Sequence, residues 1–448
     1  MNGLRLAVVV QRYGADISGG AELHARYIAE HLARHAHVDV LTTCARDYVS
    51  WRNEFPPGVD EVQGVPVHRF PVSHVRDEID FGRRSAHVFD HRHSLAEELA
   101  WLESEGPASP ALIRQLDAWR DRFDFILLFS ARYYHAYHGA RSVPDRAVLV
   151  PTAEREPSLG LSMFGPIFRG VRAIMYNSPE ERALITGLAA NEHVPGVVVG
   201  IGSEIPDRVQ PDRARQKFSL RNPFAVYVGR IDTNKGCGEL FDHFIRFTTT
   251  SSRPVDLVLI GTPAMPIPDH PRIRHLGFVS DQDKFDTIAA ASVLVMPSYY
   301  ESLSMVALEA WALGRPVLAN AHCDVLLGQC LRSNAGLYYE DANDFAGALH
   351  RLLSDERLSR MLGRNGREYY MRHYAWPVIE GKYLDMFRQL SEKPPRHTME
   401  PLPGFLARRT RAIPPAAEAV NAVPAGAILP EGRRPQPREL RGARGKHR

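Results

Sequence analysis

The sequence predicts a two-domain α/β protein in which each domain is a parallel sheet covered by helices. Three observations predict it. The chain has 448 residues, enough for two domains of ordinary size. Continuous apolar runs of strand length alternate with segments of helical periodicity in both halves, as in sheets buried on both faces. The stretch Met296–Asn320, MPSYYESLSMVALEAWALGRPVLAN, reads as a β-loop-α-β unit. In it a strand over 292–296 ends at Pro297, a helix runs from about Leu303 to Leu313, and a second strand covers 316–319.

Taken in order, the first apolar run, Leu4 to Val10, is a strand. Gly19 and Gly20, after Ser18, open a helix whose Leu23, Tyr27, Ile28 and Leu32 recur at helical spacing. His37 to Thr42 is the next strand, which completes a Rossmann-like βαβ start. No GxGxxG fingerprint is present, which argues against a nicotinamide dinucleotide. The glycine pair is a candidate for close backbone approach to a ligand.

Residues 74–122 read as helices broken at Gly106-Pro107. His87, His91 and His93 lack the Cys or carboxylate company of a metal site and read as solvated helix faces. Strands follow at Phe125–Phe129, Ala147–Val150 and Ala173–Tyr176, and Ser178, Pro179 and Glu181 open a helix in capping-box register. Past the strand AVLV stand Glu154 and Arg155, while His135 and His138 follow the preceding strand. Gly200-Ile201-Gly202 leads out of the first domain.

In the second half FAVYVG is a strand, RIDTNKG a loop and GELFDHFIRFT a helix. Arg230 and Lys235 therefore sit at a strand's C-terminal end, where open α/β sheets bind ligands. Strands follow at Val255–Ile260 and Ile273–Phe278. Asp281-Gln282-Asp283 has the form of a metal-binding DxD but reads as an N-cap, Asp281, with acidic first-turn residues. In the 296–320 unit Glu301 lies in the loop and Glu309 in the helix, roughly 10–12 Å further along the axis. Between them the amides of Leu303, Ser304, Met305 and Val306 form a seat for a diphosphate. Glu309 is flanked by Ala307, Leu308, Ala310 and Trp311, and a carboxylate there needs a partner. Helices at Asn343–Ser354, Asp355–Tyr370 and Tyr374–Leu390, the last interrupted near Pro377, complete the ordered part.

Charge separates the tail from the body. Residues 393–448 hold 12 Lys/Arg against 4 Asp/Glu, so the body carries about −5 of the overall +3 and is no nucleic-acid surface. The tail, rich in Pro, Ala and Arg, reads as disordered, and its basic charge suits an anionic membrane or a partner. Four cysteines without a CxxC pair suit a reducing compartment. Leu6–Val10 is too short for a signal-peptide core, and no apolar run reaches 18 residues, so the expected location is cytoplasmic, at most peripheral to the inner face of the membrane.

The Glu301-x7-Glu309 run, Gly229-Arg230-x4-Lys235-Gly236 and Ser18-Gly19-Gly20-Ala21-Glu22 together resemble the retaining glycosyltransferases of the family 4 type, with the GT-B fold, over roughly residues 4–390. The resemblance implies an acceptor-side domain over 1–203, a nucleotide-sugar domain over 204–375, a helix over 376–392 crossing back, and the tail over 393–448. It implies transfer of a hexosyl group, with retention, from a nucleotide-diphosphate sugar to a saccharide or lipid-linked acceptor, in surface polysaccharide or glycoconjugate synthesis, with no cofactor or metal. Glu301 would contact the donor sugar and Glu309 the ribose. Arg230 and Lys235 would neutralise the diphosphate beside Gly19, Gly20, Ser304, Met305 and Val306, and Phe278-Val279 would border the nucleobase. The departing phosphate oxygen would take the acceptor's proton.

The sequence departs from the family at Ser302 and Leu303, and more seriously at Glu154 and Arg155, where the family has His-Asp. Glu154 then becomes a candidate catalytic group, or a loop residue paired with Arg155 or Arg132. A sugar-nucleotide epimerase and a catalytically degenerate nucleotide-binding partner protein are the competing readings.

Overall fold

The computed structural model describes residues 3–17, 19–251, 253–395, 416–421 and 426. Ser18 lies outside them, as does most of the tail; within the tail Ala416–Asn421 forms a six-residue helix.

The first domain starts with β1 (Arg5–Val10), α1 (Gly20–Leu32), β2 (His37–Thr43), β3 (Gly58–Val62) and β4 (Val65–Phe70). Then come α2 (Glu78–Asp90), α3 (Leu95–Glu105), α4 (Pro110–Ala118), β5 (Phe125–Phe129), α5 (Tyr134–Ser142) and β6 (Ala147–Val150). It closes with α6 (Phe164–Gly170), β7 (Ala173–Tyr176), α7 (Pro179–Ala189) and β8 (Gly196–Val198). The sheet order is β3-β4-β2-β1-β5-β6-β7-β8, and every pair is parallel except the β3–β4 hairpin. That hairpin was not legible in the sequence, because four of the five β3 residues are exposed and carry no apolar alternation. Its turn is set by Gln63 and Gly64, both at positive φ, the backbone a tight hairpin requires.

The second domain holds α8 (Pro211–Lys217), β9 (Phe224–Val228), α9 (Cys237–Thr250), β10 (Asp256–Ile260), β11 (Ile273–His275) and α10 (Asp281–Ala290). It continues with β12 (Val293–Met296), α11 (Met305–Ala312), β13 (Val317–Asn320), α12 (Asp324–Ser333) and β14 (Gly336–Tyr339). Two helices, α13 (Ala342–Ser354) and α14 (Glu356–His373), follow. Its all-parallel sheet runs β11-β10-β9-β12-β13-β14. The central strands of both sheets are buried along their whole length, which is why they read as unbroken apolar runs. Strand order reverses between β1 and β5 and again between β9 and β12, the crevices where such sheets bind ligands.

A last helix, α15 (Trp376–Ser391), lies against the first domain. Phe387 stacks on Phe125 at 5.1 Å, and Arg172 donates to the carbonyl of Leu390. Pro377 does not interrupt this helix. It sits in the first turn, where its missing N–H costs nothing. The two inter-domain passes of the chain pack on each other. A Cβ on Gly200 would fall 2.5 Å from the Tyr374 ring, and one on Gly202 2.7 Å from the Trp376 ring. Beside them His31 stacks on Trp376 at 3.5 Å, with its two ring nitrogens 2.6 Å from carboxylate oxygens of Glu380 and Glu204.

Other expectations shift in detail. Ser280, not Asp281, caps α10, accepting from the Asp283 N–H. The strand expected over 273–278 is regular only to His275. His93 is not solvated: it is buried and bonded to the buried Glu98 at 2.9 Å.

Candidate functional site

The loops after β9 and β12 meet at the switch point of the second sheet. Gly236 makes the meeting possible. It caps α9 at φ +71, and a Cβ there would fall 2.2 Å from the Pro297 carbonyl oxygen. Asn320, at the end of β13, donates to the same carbonyl at 3.0 Å and fixes the β12 loop. Gly236→Ala is therefore expected to destabilise the domain by roughly 1–3 kcal/mol, from the clash and the left-handed backbone together, read as a lower urea midpoint.

With the loops pinned, Lys235 Nζ donates to Glu301 Oε1 at 2.8 Å. Burial pulls the lysine pKa down, but Glu301 and then Glu154 outweigh it and hold the ammonium well above the ordinary range. Arg230, half exposed, folds its Nε onto Asp232, whose other oxygen accepts from the Lys235 backbone N–H at 2.8 Å. Asp232 thus orders both cations of the loop.

Helix α11 begins at Met305, not at Leu303. Its cap, Ser304, stands at φ +72 and accepts from the Ala307 N–H at 3.3 Å, and its carbonyl accepts from Leu308. The N–H groups of Met305 and Val306 have no acceptor among the described residues and point out of the helix start. Glu309, four residues on, is buried and accepts from Lys284 Nζ at 2.9 Å, while its Oε2 is buried without a partner. Burial raises the Glu309 pKa against the pull of Lys284. Lys284 is the partner that the apolar flanks of Glu309 demanded. Its position inside the segment KFDTIAAA was the available signal. Phe278, beyond Gly277, is 76% exposed, and Val279 is half-buried against the core.

The first domain contributes the opposite wall. Gly19 lies over the buried pair Arg12–Glu22, 2.7 Å apart: a Cβ there would fall 2.0 Å from Glu22 Oε2, whereas one on Gly20 would meet nothing within 4 Å. Only the first glycine is required by space. After β6, Ala153 donates its N–H to the buried Glu181, which also accepts from Asn177. Glu181 holds this loop in place; it was read only as a helix-start residue.

Glu154 is paired with neither arginine named from the sequence. Arg155 reaches across to Asp324 at 3.3 Å, and Arg132 engages Glu105 and Glu156. Instead Glu154 faces Lys235 and Glu301 of the other domain. Burial raises its pKa to about 7, with Lys235 opposing, Glu301 and Glu156 adding, and Arg132, not in contact, opposing more weakly. A cleft opens here, walled by Glu154, Arg155 and Glu180 on one side and Tyr300, Glu301 and His322 on the other. His135 and His138 do not reach it. His135 is fully buried and bonded to the Phe129 carbonyl, and burial lowers both histidines to about 4.

No three His, Cys, Asp or Glu side chains gather as a metal set among the described residues. Asp283 is taken up by Arg213, Lys217 and Ser280, and Asp281 lies 3.4 Å from Lys284.

Sucrose-phosphate synthase from Thermosynechococcus elongatus superposes with a TM-score of 0.64 at 19% identity, over 87% of this chain and 99% of that one. The fold is GT-B. The HepE protein of Anabaena, solved in complex with UDP-glucose, shares GT-B with a TM-score of 0.62 at 15% identity, over 86% of this chain and all of that one. Over residues 222–355 the sequence matches the family described as Glycosyl transferases group 1. That match spans the GT-B half carrying Arg230, Lys235, Glu301 and Glu309. Alpha-maltose-1-phosphate synthase of Mycobacterium tuberculosis is 29% identical over 190 residues, 38% of this chain. The match spans about half the length of that relative, 48%.

Proposed function

We propose that the chain is a metal-independent, retaining glycosyltransferase of the family 4 type. It moves a hexosyl group from a nucleoside diphosphate sugar to a saccharide or lipid-linked acceptor in surface polysaccharide or glycoconjugate synthesis. The observation that carries this reading is that Glu154 and Glu301, from loops of both domains, line one cleft, with Lys235 from a third loop bonded to Glu301. It supports a reaction whose main need is charge stabilisation. Lys235, Arg230 and the Met305 and Val306 amides meet the leaving diphosphate, Glu301 orients the sugar, and Glu309 takes the ribose hydroxyls. As the glycosidic C–O bond breaks, the phosphate oxygen that leaves takes the acceptor hydroxyl's proton, and the acceptor oxygen bonds to the anomeric carbon on the same face.

The UDP-glucose bound to HepE makes uridine donors the first to screen. Incubation with nucleoside diphosphate sugars and saccharide acceptors, followed by anomeric analysis of the product, tests the proposal. An inverted product overturns retention. Nucleotide binding without transfer to any acceptor supports a degenerate partner protein instead, and sugar isomerisation without an acceptor supports an epimerase.

Two further outcomes are expected. Glu309→Gln removes charge-assisted bonds worth roughly 1.5–3 kcal/mol, so nucleotide binding by calorimetry should weaken about ten- to hundred-fold. EDTA should leave turnover unchanged. Loss of activity restored by manganese would make ligands of Asp281 and Asp283.

A further inference from the structure

The two sides of α14 are unlike. Its inner side packs unusually close: a Cβ on Gly363 would fall 2.0 Å from the Gly314 carbonyl oxygen, and one on Gly366 2.4 Å from the Trp311 ring. Leu362 and Tyr370 are buried on that side. Such contact fixes the helix rotationally, so the opposite side must face solvent. At roughly 100° per residue, Arg357, Arg360, Arg364, Arg367 and Arg372 fall within one arc of about 140°. All five are exposed. They are spread over about 22 Å of helix.

Of these arginines only Arg360 has a carboxylate partner among the described residues, Glu356 at 2.7 Å. Glu368 is the single acid within the arc. At the end of the helix Lys382 donates to the His373 carbonyl. Two methionines are set among the arginines, Met361 at 40% and Met371 at 56% exposure.

We propose that this face of α14 docks on an anionic bilayer. Unpaired guanidinium groups at helical spacing meet lipid phosphates, and the two flexible apolar side chains between them enter the boundary between headgroups and acyl chains. Nucleic acid fits less well, since no aromatic ring lies within the arc to stack a base and the body outside the tail is net negative. The attachment is peripheral: among the described residues no helix is long and apolar enough to cross a membrane. The proposal is independent of the cleft's chemistry.

The test is co-sedimentation of the full-length protein with vesicles of phosphatidylcholine plus phosphatidylglycerol, and with phosphatidylcholine alone. Three variants are compared: R357Q/R364Q/R367Q/R372Q, M361S/M371S, and a full-length form whose tail Lys and Arg after residue 392 are Gln. Wild type should bind only the anionic vesicles, and salt should release it. The arginine variant should lose about five-fold in partition per charge removed, the methionine variant should weaken with its salt dependence unchanged, and the tail variant should keep most of its binding. Circular dichroism melts check folding, and single R364Q and R367Q variants, about five-fold each, replace the quadruple form if it does not fold. Wild type that ignores anionic vesicles overturns the proposal, as does binding lost by the tail variant and kept by the arginine variant. So does arginine-dependent retention on homopolymeric RNA without vesicle binding.

Discussion

Lys235→Ala is expected to lower kcat by about 10²–10³, the usual effect of removing a preorganised group that meets charge developing in the transition state. Glu301 occupies one of the three ammonium donors of Lys235, which leaves two for phosphate oxygens once a donor sugar enters. Diphosphate charge grows as the glycosidic bond breaks, so turnover should fall further than nucleotide affinity does. Stability should change less, because the lysine side chain is 32% exposed and water screens part of what Glu301 and Glu154 lose. Steady-state kinetics and nucleotide binding by calorimetry, read together, check this. An equal loss in both would make Lys235 a ground-state binding group only.

Glu154→Gln should reduce kcat well beyond ten-fold, to roughly a hundredth, while nucleoside diphosphate affinity stays within about two-fold. In the proposed reaction an ionised Glu154 beside the sugar would favour positive charge on the ring, a gain realised in the transition state. Its raised pKa, about 7, gives the prediction a pH signature. Activity that needs the carboxylate rises as pH passes through about 7, and the Gln variant lacks that limb. The stability sign is opposite. The folded pKa lies above the ordinary carboxyl value, so the neutral group's contribution is complete below about 4.5 and is lost as pH climbs through about 7. The wild type should therefore lose more melting temperature across that window than Glu154→Gln does, the remaining loss coming from other buried carboxyls such as Glu181. A normal kcat in the variant would leave the chemistry to Lys235 and the substrate's own phosphate.

Much of this was legible in the chain because the strands are buried on both faces and therefore written as runs such as FILLF, AVLV and FAVYV. The loop residues of the second domain were legible for another reason. Their spacing along two strand–loop–helix segments, one after β9 and one after β12, fixes where Arg230 and Lys235, and Glu301 and Glu309, can stand. What the sequence hid was contact between distant segments. The surroundings of Glu154 depend on two loops more than seventy residues away, and nothing local distinguishes facing Lys235 from pairing with its neighbour Arg155. The brace of Ala153 on Glu181, the seat of Gly19 on Arg12–Glu22 and the Lys284–Glu309 pair are of the same kind. The β3–β4 hairpin was missed because an exposed edge strand carries no apolar pattern.

The packing of Gly200 and Gly202 on Tyr374 and Trp376 has a mechanical consequence. In chain terms the second domain is a cassette set into the first, leaving it at one point and returning, through α15, at the same point. A body held by one flexible cord can swing and slide in any direction. A body held by two cords side by side works like a lid on an axle, free to turn about the line through them and barred from sliding along the seam. Any widening of the cleft about that line would change the separation of Lys235 and Glu154 without changing which residue faces which. Each closing about that line would return the same side chains to the same alignment.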